Sequence, residues 1–219
     1  MATLAYAYAS QWGYNGLVDN SNWFASYGPQ AGHQTLTGSL VVALPWGIQL
    51  SGITSFQSAA PFEPDLAGVD LNGNGSVEVL GMNVLGGSPL PGGGFNQFGV
   101  GKGKADLIQL VDAFNQNYAG KFLPGTQQTI PAITLPANFA FPRSFNSQDL
   151  RLTKIFRLHG ERWKLTLLGE CFNVLNIANL TDYNSALNAP NFGQATQRES
   201  NIFGTGGPRA FQFGSRVTF

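Results

Sequence analysis

The chain has 219 residues, twelve basic and twelve acidic side chains, and a formal net charge of zero. That balance argues against a nucleic-acid partner, which needs a basic face, and no run of about eighteen apolar residues exists to form a transmembrane helix. Charged residues make up only 11% of the chain, against about 25% in ordinary soluble domains.

Glycine, with 28 residues, and a 12% aromatic share fit a β-rich protein with long, neutral loops. Cys171 is the single cysteine, so no intrachain disulfide or cysteine-based zinc cluster is available. The first residues, MATLAYAYASQWG, lack the basic and continuous apolar regions of a signal peptide. The expectation is a chain that either stays in the cytoplasm or is missing its true beginning.

The dominant pattern is period two, the mark of a strand with two different faces. The first strand is expected near residues 2–11, where Leu4, Tyr6 and Tyr8 alternate with Thr3, Ala5, Ala7 and Ala9. The second, near 33–44, sets Leu36, Leu40, Val42 and Leu44 against Thr35, Thr37, Ser39 and Ala43. A tight Leu44-Pro45-Trp46-Gly47 corner leads into the third, near 46–57. There Trp46, Ile48, Leu50 and Phe56 alternate with Gln49, Ser51, Ser55 and Gln57.

A large loop, 58–147, follows. Within it Asp70, Asn72, Asn74 and Glu78 match the oxygen positions of an EF-hand-type calcium loop, with Gly75 at the sixth position. Gly81 stands where a bidentate glutamate belongs, so an Asn-Gly turn cluster without metal is the competing and simpler reading. Residues 99–104, GVGKGK, fail the spacing of a phosphate loop, with no Ser or Thr after the lysine. Leu107, Ile108, Leu110, Val111 and Phe114 have helical spacing over 105–118 and predict a short helix packed within the loop.

The fourth strand, near 148–158, places Leu150, Leu152, Phe156 and Leu158 against Asp149, Arg151, Thr153 and Arg157. The fifth, near 162–174, places Trp163, Leu165, Leu167 and Cys171 against Lys164, Thr166 and Glu170. The sixth, near 209–219, carries Phe211, Phe213, Val217 and Phe219 on one face and Gln212, Arg216 and Thr218 on the other. Lys154 and Ser215 fall on the apolar face by parity, while Val41, Ile53, Ile155, Leu168 and Phe172 fall on the polar one; for Lys154 either snorkelling or a bulge that shifts the register would account for this.

A soluble β-sandwich also uses alternating strands, but its outward faces are richly charged, whereas this non-apolar face is mostly Thr, Ser, Gln and Ala. Short turns at one end and long loops at the other describe an outer-membrane barrel. A loop of about ninety residues argues against a compact soluble domain. The fold class expected is therefore all-β: an antiparallel, up-and-down transmembrane barrel portion of about six strands. On this reading the short turns and C-terminus are periplasmic and the long loops extracellular.

The segments SQDLRLTKIFRL, GECFNVLNIANL and NFGQATQRESNIFGTGGPRAFQFGSRVTF resemble the C-terminal end of TonB-dependent outer-membrane receptors, nearest to the Oar-like receptors of acidobacteria and relatives. HQTLTGSLVVALPWGIQLSGITSFQSAAPF resembles the same group's strand–Leu-Pro-x-Gly–strand hairpin, and GVDLNGNG an Asp/Asn/Gly-rich stretch of its following loop. Cys171 departs from the small residue more usual there. The resemblance implies the last six strands of a 22-stranded barrel in a Gram-negative outer membrane, not functional alone.

The implied partners are the missing N-terminal strands and plug of the same protein, the TonB complex through that missing part, the outer-membrane assembly machinery, and lipid. Phe211, Phe213, Val217 and Phe219 would face lipid and form the C-terminal assembly signal. Arg151, Lys164, Glu170 and Arg216 would line the lumen, and loop residues from Phe62 to Phe141 would help to select a substrate. Two other functions remain open: a passive porin-like channel and a soluble carbohydrate-binding β-domain. No enzyme is expected, since His33, His159 and Cys171 make no catalytic set, and no cofactor is expected beyond the calcium considered above.

Overall fold

The structure is a computed structural model and describes residues 1–14, 27–69, 71, 87–123, 127–158, 162–199 and 204–219. One antiparallel sheet of six strands dominates it. In chain order these are β1 (Ala2–Tyr8), β4 (Gln34–Leu44), β5 (Ile48–Gln57), β8 (Phe145–Leu158), β9 (Trp163–Phe172) and β12 (Ala210–Thr218). Their spatial order is the same as their sequence order, an up-and-down meander with β1 and β12 at its two edges. Two-stranded ribbons extend it: β2 (Trp12–Tyr14) with β3 (Tyr27–Pro29), β6 (Asp65–Ala67) with β7 (Gly87–Pro89), and β10 (Leu180–Tyr183) with β11 (Ala195–Arg198).

Register sorts the side chains. Residues directly opposite each other on antiparallel strands share a face. One row reads Tyr6, Leu36, Phe56 and Asn146; another reads Leu44, Ile48, Lys154 and Leu167. Between them Val42, Leu50, Leu152 and Gly169 align, with Phe213 beside Gly169. The opposite face carries Thr37, Ser55 and Ser147 in one row, and Ser51, Arg151, Glu170 and Gln212 in another. Pairing through Lys154 is continuous on both sides, to Ile48 and to Leu167. No bulge shifts its strand, so Lys154 stands on the apolar face.

The sheet is a single layer. Phe213 is 81% exposed, and Leu4, Leu40, Leu50, Leu152, Phe211 and Val217 are exposed as well. The buried core lies elsewhere, at the end of the sheet away from the short turns. It gathers Phe62, Leu66, Phe98, Leu107, Val111, Phe114, Ile133 and Phe139 from the long segment after β5, with Leu187 and Phe192 from the segment after β9. What the sequence reading treats as a loop is a folded outer domain.

Helix α1 (Lys104–Asn117) anchors this domain, one residue ahead of the helical run expected from the sequence. Asp106 Oδ2 accepts the Gly103 N–H at 2.6 Å and caps its first turn. Leu107, Val111 and Phe114 form its buried stripe, spaced as one helix face requires. Asn115 clamps Ile133 with both amide atoms, each at 2.8 Å.

Two strand ends differ from expectation by three residues. β1 ends at Tyr8, because Trp12–Tyr14 turns away to pair with Tyr27–Pro29. β8 starts at Phe145, because Gln57 and Phe145 extend the β5 pairing outward.

The corner between β4 and β5 uses left-handed backbone at Trp46 (φ 62°) and Gly47 (φ 71°). A Cβ on Gly47 would lie 2.8 Å from the Ile155 carbonyl oxygen, so glycine is required there for space as well as for φ. Trp46, a bulky residue in the left-handed region, sits there at a cost of about 1–3 kcal/mol. Gly47→Ala should therefore loosen the hairpin. Hydrogen exchange is expected to be faster at Ile48 and Leu50, with β9 and β12 unchanged; unchanged exchange in the hairpin would contradict the packing described.

Candidate functional site

The polar face of the sheet carries all the charged strand residues except Lys154: Asp149, Arg151, Arg157, Lys164, Glu170 and Arg216. They are not spread evenly. Arg157, Lys164 and Arg216 lie toward the short-turn end, with Arg157 directly opposite Lys164. Asp149, Arg151 and Glu170 lie toward the outer end, where Arg151 and Glu170 face each other across β8 and β9. Arg151 Nε donates to Glu170 Oε1 at 2.6 Å, and a second guanidinium nitrogen is 2.5 Å from the same oxygen. Arg151 is largely exposed, so solvent screens this pair and its contribution to stability is small.

Above the pair, a cleft of about 240 Å³ is lined by Ser51, Asp149, Arg151, Glu170, Phe172 and Thr205 among others. It opens where the sheet meets the outer segments. Its upper wall is held by a knot of buried polar groups. Asp149 Oδ1 accepts the Asn173 N–H at 2.8 Å and the Ser147 hydroxyl at 3.2 Å, while Oδ2 accepts the Thr205 hydroxyl at 2.8 Å.

Asn173 is fully buried. Its Nδ2 donates to the Ile177 and Gly207 carbonyls at 2.8 and 2.6 Å, and its Oδ1 accepts the Ile177 N–H at 3.0 Å. Asn179 ties the Asn146 backbone to the Gly206 carbonyl in the same way. Each of these amides satisfies backbone groups that would otherwise be buried without partners. The outer end of β8 and the segment before β12 are thus fixed to one another.

Phe211, Phe213 and Val217 lie on the apolar face with their side chains exposed. Phe219 stacks on Trp163 with ring centroids 5.1 Å apart, next to the β8–β9 turn. Lys154 Nζ donates to the Trp46 carbonyl and lies over the Phe156 ring. His33 packs edge-on to Tyr8, while Cys171 sits on β9 beyond two intervening strands, β5 and β8. His159 lies outside the described residues, as do Asp70, Asn72, Asn74 and Glu78, the four positions of the calcium motif.

The outer domain holds an acidic pair that the sequence reading did not single out. Burial raises the Glu63 carboxyl to about 8; the nearby Asp65 adds to the rise, while the Asn96 N–H and Lys102 oppose it. Burial likewise raises Asp65 to about 6. Asp65 sits on the seam between the two outer segments: its N–H donates to the Ser185 carbonyl at 3.0 Å, and its own carbonyl accepts from Leu187 at 2.8 Å. The Ser185 hydroxyl faces the Asp65 carboxyl and opposes part of that rise. Phe192, from the second segment, meets Phe62 and Phe139 of the first at 6.0 and 5.6 Å. The signal available in the sequence was an acid within the apolar run Pro61-Phe62-Glu63-Pro64-Asp65-Leu66.

Residues 11–212 match the model of the outer membrane beta barrel domain family. The chain belongs to that family and is an outer-membrane protein. No curated protein and no solved structure matches it.

The acidic pair gives the outer domain a pH dependence of defined sign. Both carboxyls titrate higher in the folded state than in an unfolded chain, at roughly 4. Their contribution is therefore fully present below about pH 4 and is lost as pH rises, through about 6 for Asp65 and about 8 for Glu63. Limited proteolysis of the outer segments should accelerate between pH 5 and about 8.5. In a Glu63→Gln variant the upper part of that acceleration should disappear. An outer domain that becomes more resistant as pH rises would contradict the assignment.

Proposed function

We propose that the chain is the C-terminal part of the barrel of a TonB-dependent outer-membrane receptor of the Oar-like type, working in uptake of a nutrient together with the rest of that receptor. One observation carries the reading: a single-layer sheet, predominantly apolar on one face and predominantly polar on the other, whose edge strands β1 and β12 have no outer neighbour among the described residues. Exposed apolar surface on this scale needs a covering partner, and in an outer membrane lipid supplies it. Phe211, Phe213, Val217 and Phe219 then contact hydrocarbon and the interface. Arg151, Lys164, Glu170 and Arg216 face the bore, where charge stays hydrated or paired.

Six strands cannot enclose a bore, since even eight leave room only for side chains. Unpaired edge groups in lipid cost several kcal/mol each. Further strands of the same protein are the natural closure, and a plug with a TonB-contact segment is the natural occupant of the polar interior. The likeness of SQDLRLTKIFRL, GECFNVLNIANL and the terminal segment to TonB-dependent receptors supports this over a passive channel. The exposed apolar face argues against a soluble carbohydrate-binding domain. The outer domain, built from Phe62 to Phe141 and closed by Phe192, then stands over the mouth as the part that selects the substrate. No catalytic step belongs to this reading.

Expressed alone, the chain is expected to give no protease-resistant, heat-modifiable species in the membrane fraction, whereas the whole receptor should give one. A folded, membrane-embedded product of the 219 residues by themselves would overturn the reading. Uptake by the whole receptor that persists without TonB would replace the transporter with a passive channel.

A further inference from the structure

Lys154 is the one charged side chain on the apolar face of the six strands among the described residues. Its partners in register are Ile48 and Leu167, and its same-face neighbours along the strand are Leu152 and Phe156. No carboxylate pairs with it among the described residues. A free charge in that setting is costly unless it reaches the polar edge of the bilayer.

Its direction is set. The ammonium donates to the Trp46 carbonyl in the tight turn and rides over the Phe156 ring, 5.2 Å from its centroid. That places Nζ at the short-turn end, where Trp46 is 83% exposed and Trp163 stacks on Phe219. Aromatic belts of this kind lie at headgroup depth, and short turns mark the periplasmic side of an outer-membrane barrel. The Trp46 carbonyl uses one of the three ammonium donors. Two remain, and the chemistry at that depth offers phosphate oxygens.

We propose that Lys154 and Trp46 form a site for the phosphate of an anionic phospholipid headgroup in the periplasmic leaflet. Lys154 Nζ gives its remaining donors to the phosphate, and the Trp46 carbonyl holds the ammonium in place while the exposed indole lies among the headgroups. Trp46 holds the left-handed conformation that brings its carbonyl to Lys154, so the strained turn acts as a positioning device. This inference rests on the barrel reading above, since it requires the apolar face to meet lipid.

The test uses the whole receptor in nanodiscs of phosphatidylglycerol and phosphatidylcholine with identical acyl chains, with retained lipid counted by native mass spectrometry. The unmutated protein should retain phosphatidylglycerol over phosphatidylcholine by about fivefold, the worth of one lysine at a charged membrane surface, and lose that preference at high salt. Lys154→Gln should bring the ratio near parity, and Lys154→Arg should restore it. Equal retention of the two lipids by the unmutated protein, or an unchanged preference in Lys154→Gln, would overturn the site. So would displacement of the lipid by free inorganic phosphate. Heat-modifiability on gels reports barrel folding independently, so failure of the lipid site and failure of the barrel reading are separate results.

Discussion

Cross-strand register is the constraint on which the rest depends. In an antiparallel pair, opposed residues share a face, and a slip of one residue would exchange the two faces of a strand. Across five successive pairings most apolar residues stay on one side and most hydroxyl, amide and charged residues on the other, with Val41, Ile53, Ile155 and Leu168 on the polar side and Asn146, Lys154 and Ser215 on the apolar one. A sheet sorted in this way is stable only between two unlike media. The exposed leucines and phenylalanines that would make a soluble protein aggregate become the part of the surface that an outer membrane accepts.

Because both faces of the sheet contact their surroundings rather than another layer, the interior packing of the molecule is displaced to one end. The outer segments after β5 and β9 join through Phe62, Phe139, Leu187 and Phe192 into one hydrophobic core. They join also through the Asp65 bridge to Ser185 and Leu187. They meet the sheet at a rim of buried amides, Asn173 and Asn179, and the carboxylate of Asp149. Groups of this kind specify geometry because leaving any of them unpaired costs more than the bond itself contributes. The cleft above Arg151 and Glu170 is walled by Gly204 and Thr205, from the segment before β12, on one side and by residues of β5, β8 and β9 on the other.

The two ends of the sheet answer different demands. At the short-turn end the chain uses a tight corner with left-handed backbone at Trp46 and Gly47, and stacked aromatics, which suit an interface. At the outer end it uses buried polar networks and a packed core, which suit a surface standing in water. The charges on the polar face follow the same division: the basic Arg157, Lys164 and Arg216 lie below, and Asp149 and Glu170 lie above with Arg151.

Much of the sheet was legible in the sequence, because period-two alternation is a local property and survives without knowledge of partners. The six strands, their faces, the tight corner at Pro45 and Gly47, and a helix with Leu107, Val111 and Phe114 inward all follow from spacing within about a dozen residues. Tertiary structure decided what depended on distant pairs. It set Lys154 on the apolar face by pairing it with Ile48 and Leu167. It ended β1 at Tyr8 by giving Trp12–Tyr14 another partner. It turned residues after Gln57 into a folded domain by bringing Phe192 against Phe62 and Phe139, and it buried Glu63 and Asp65 among them. Alternation records which medium each side chain prefers. Burial and the shifted acidity of a carboxyl depend on which remote segment closes over it, and that information is not local.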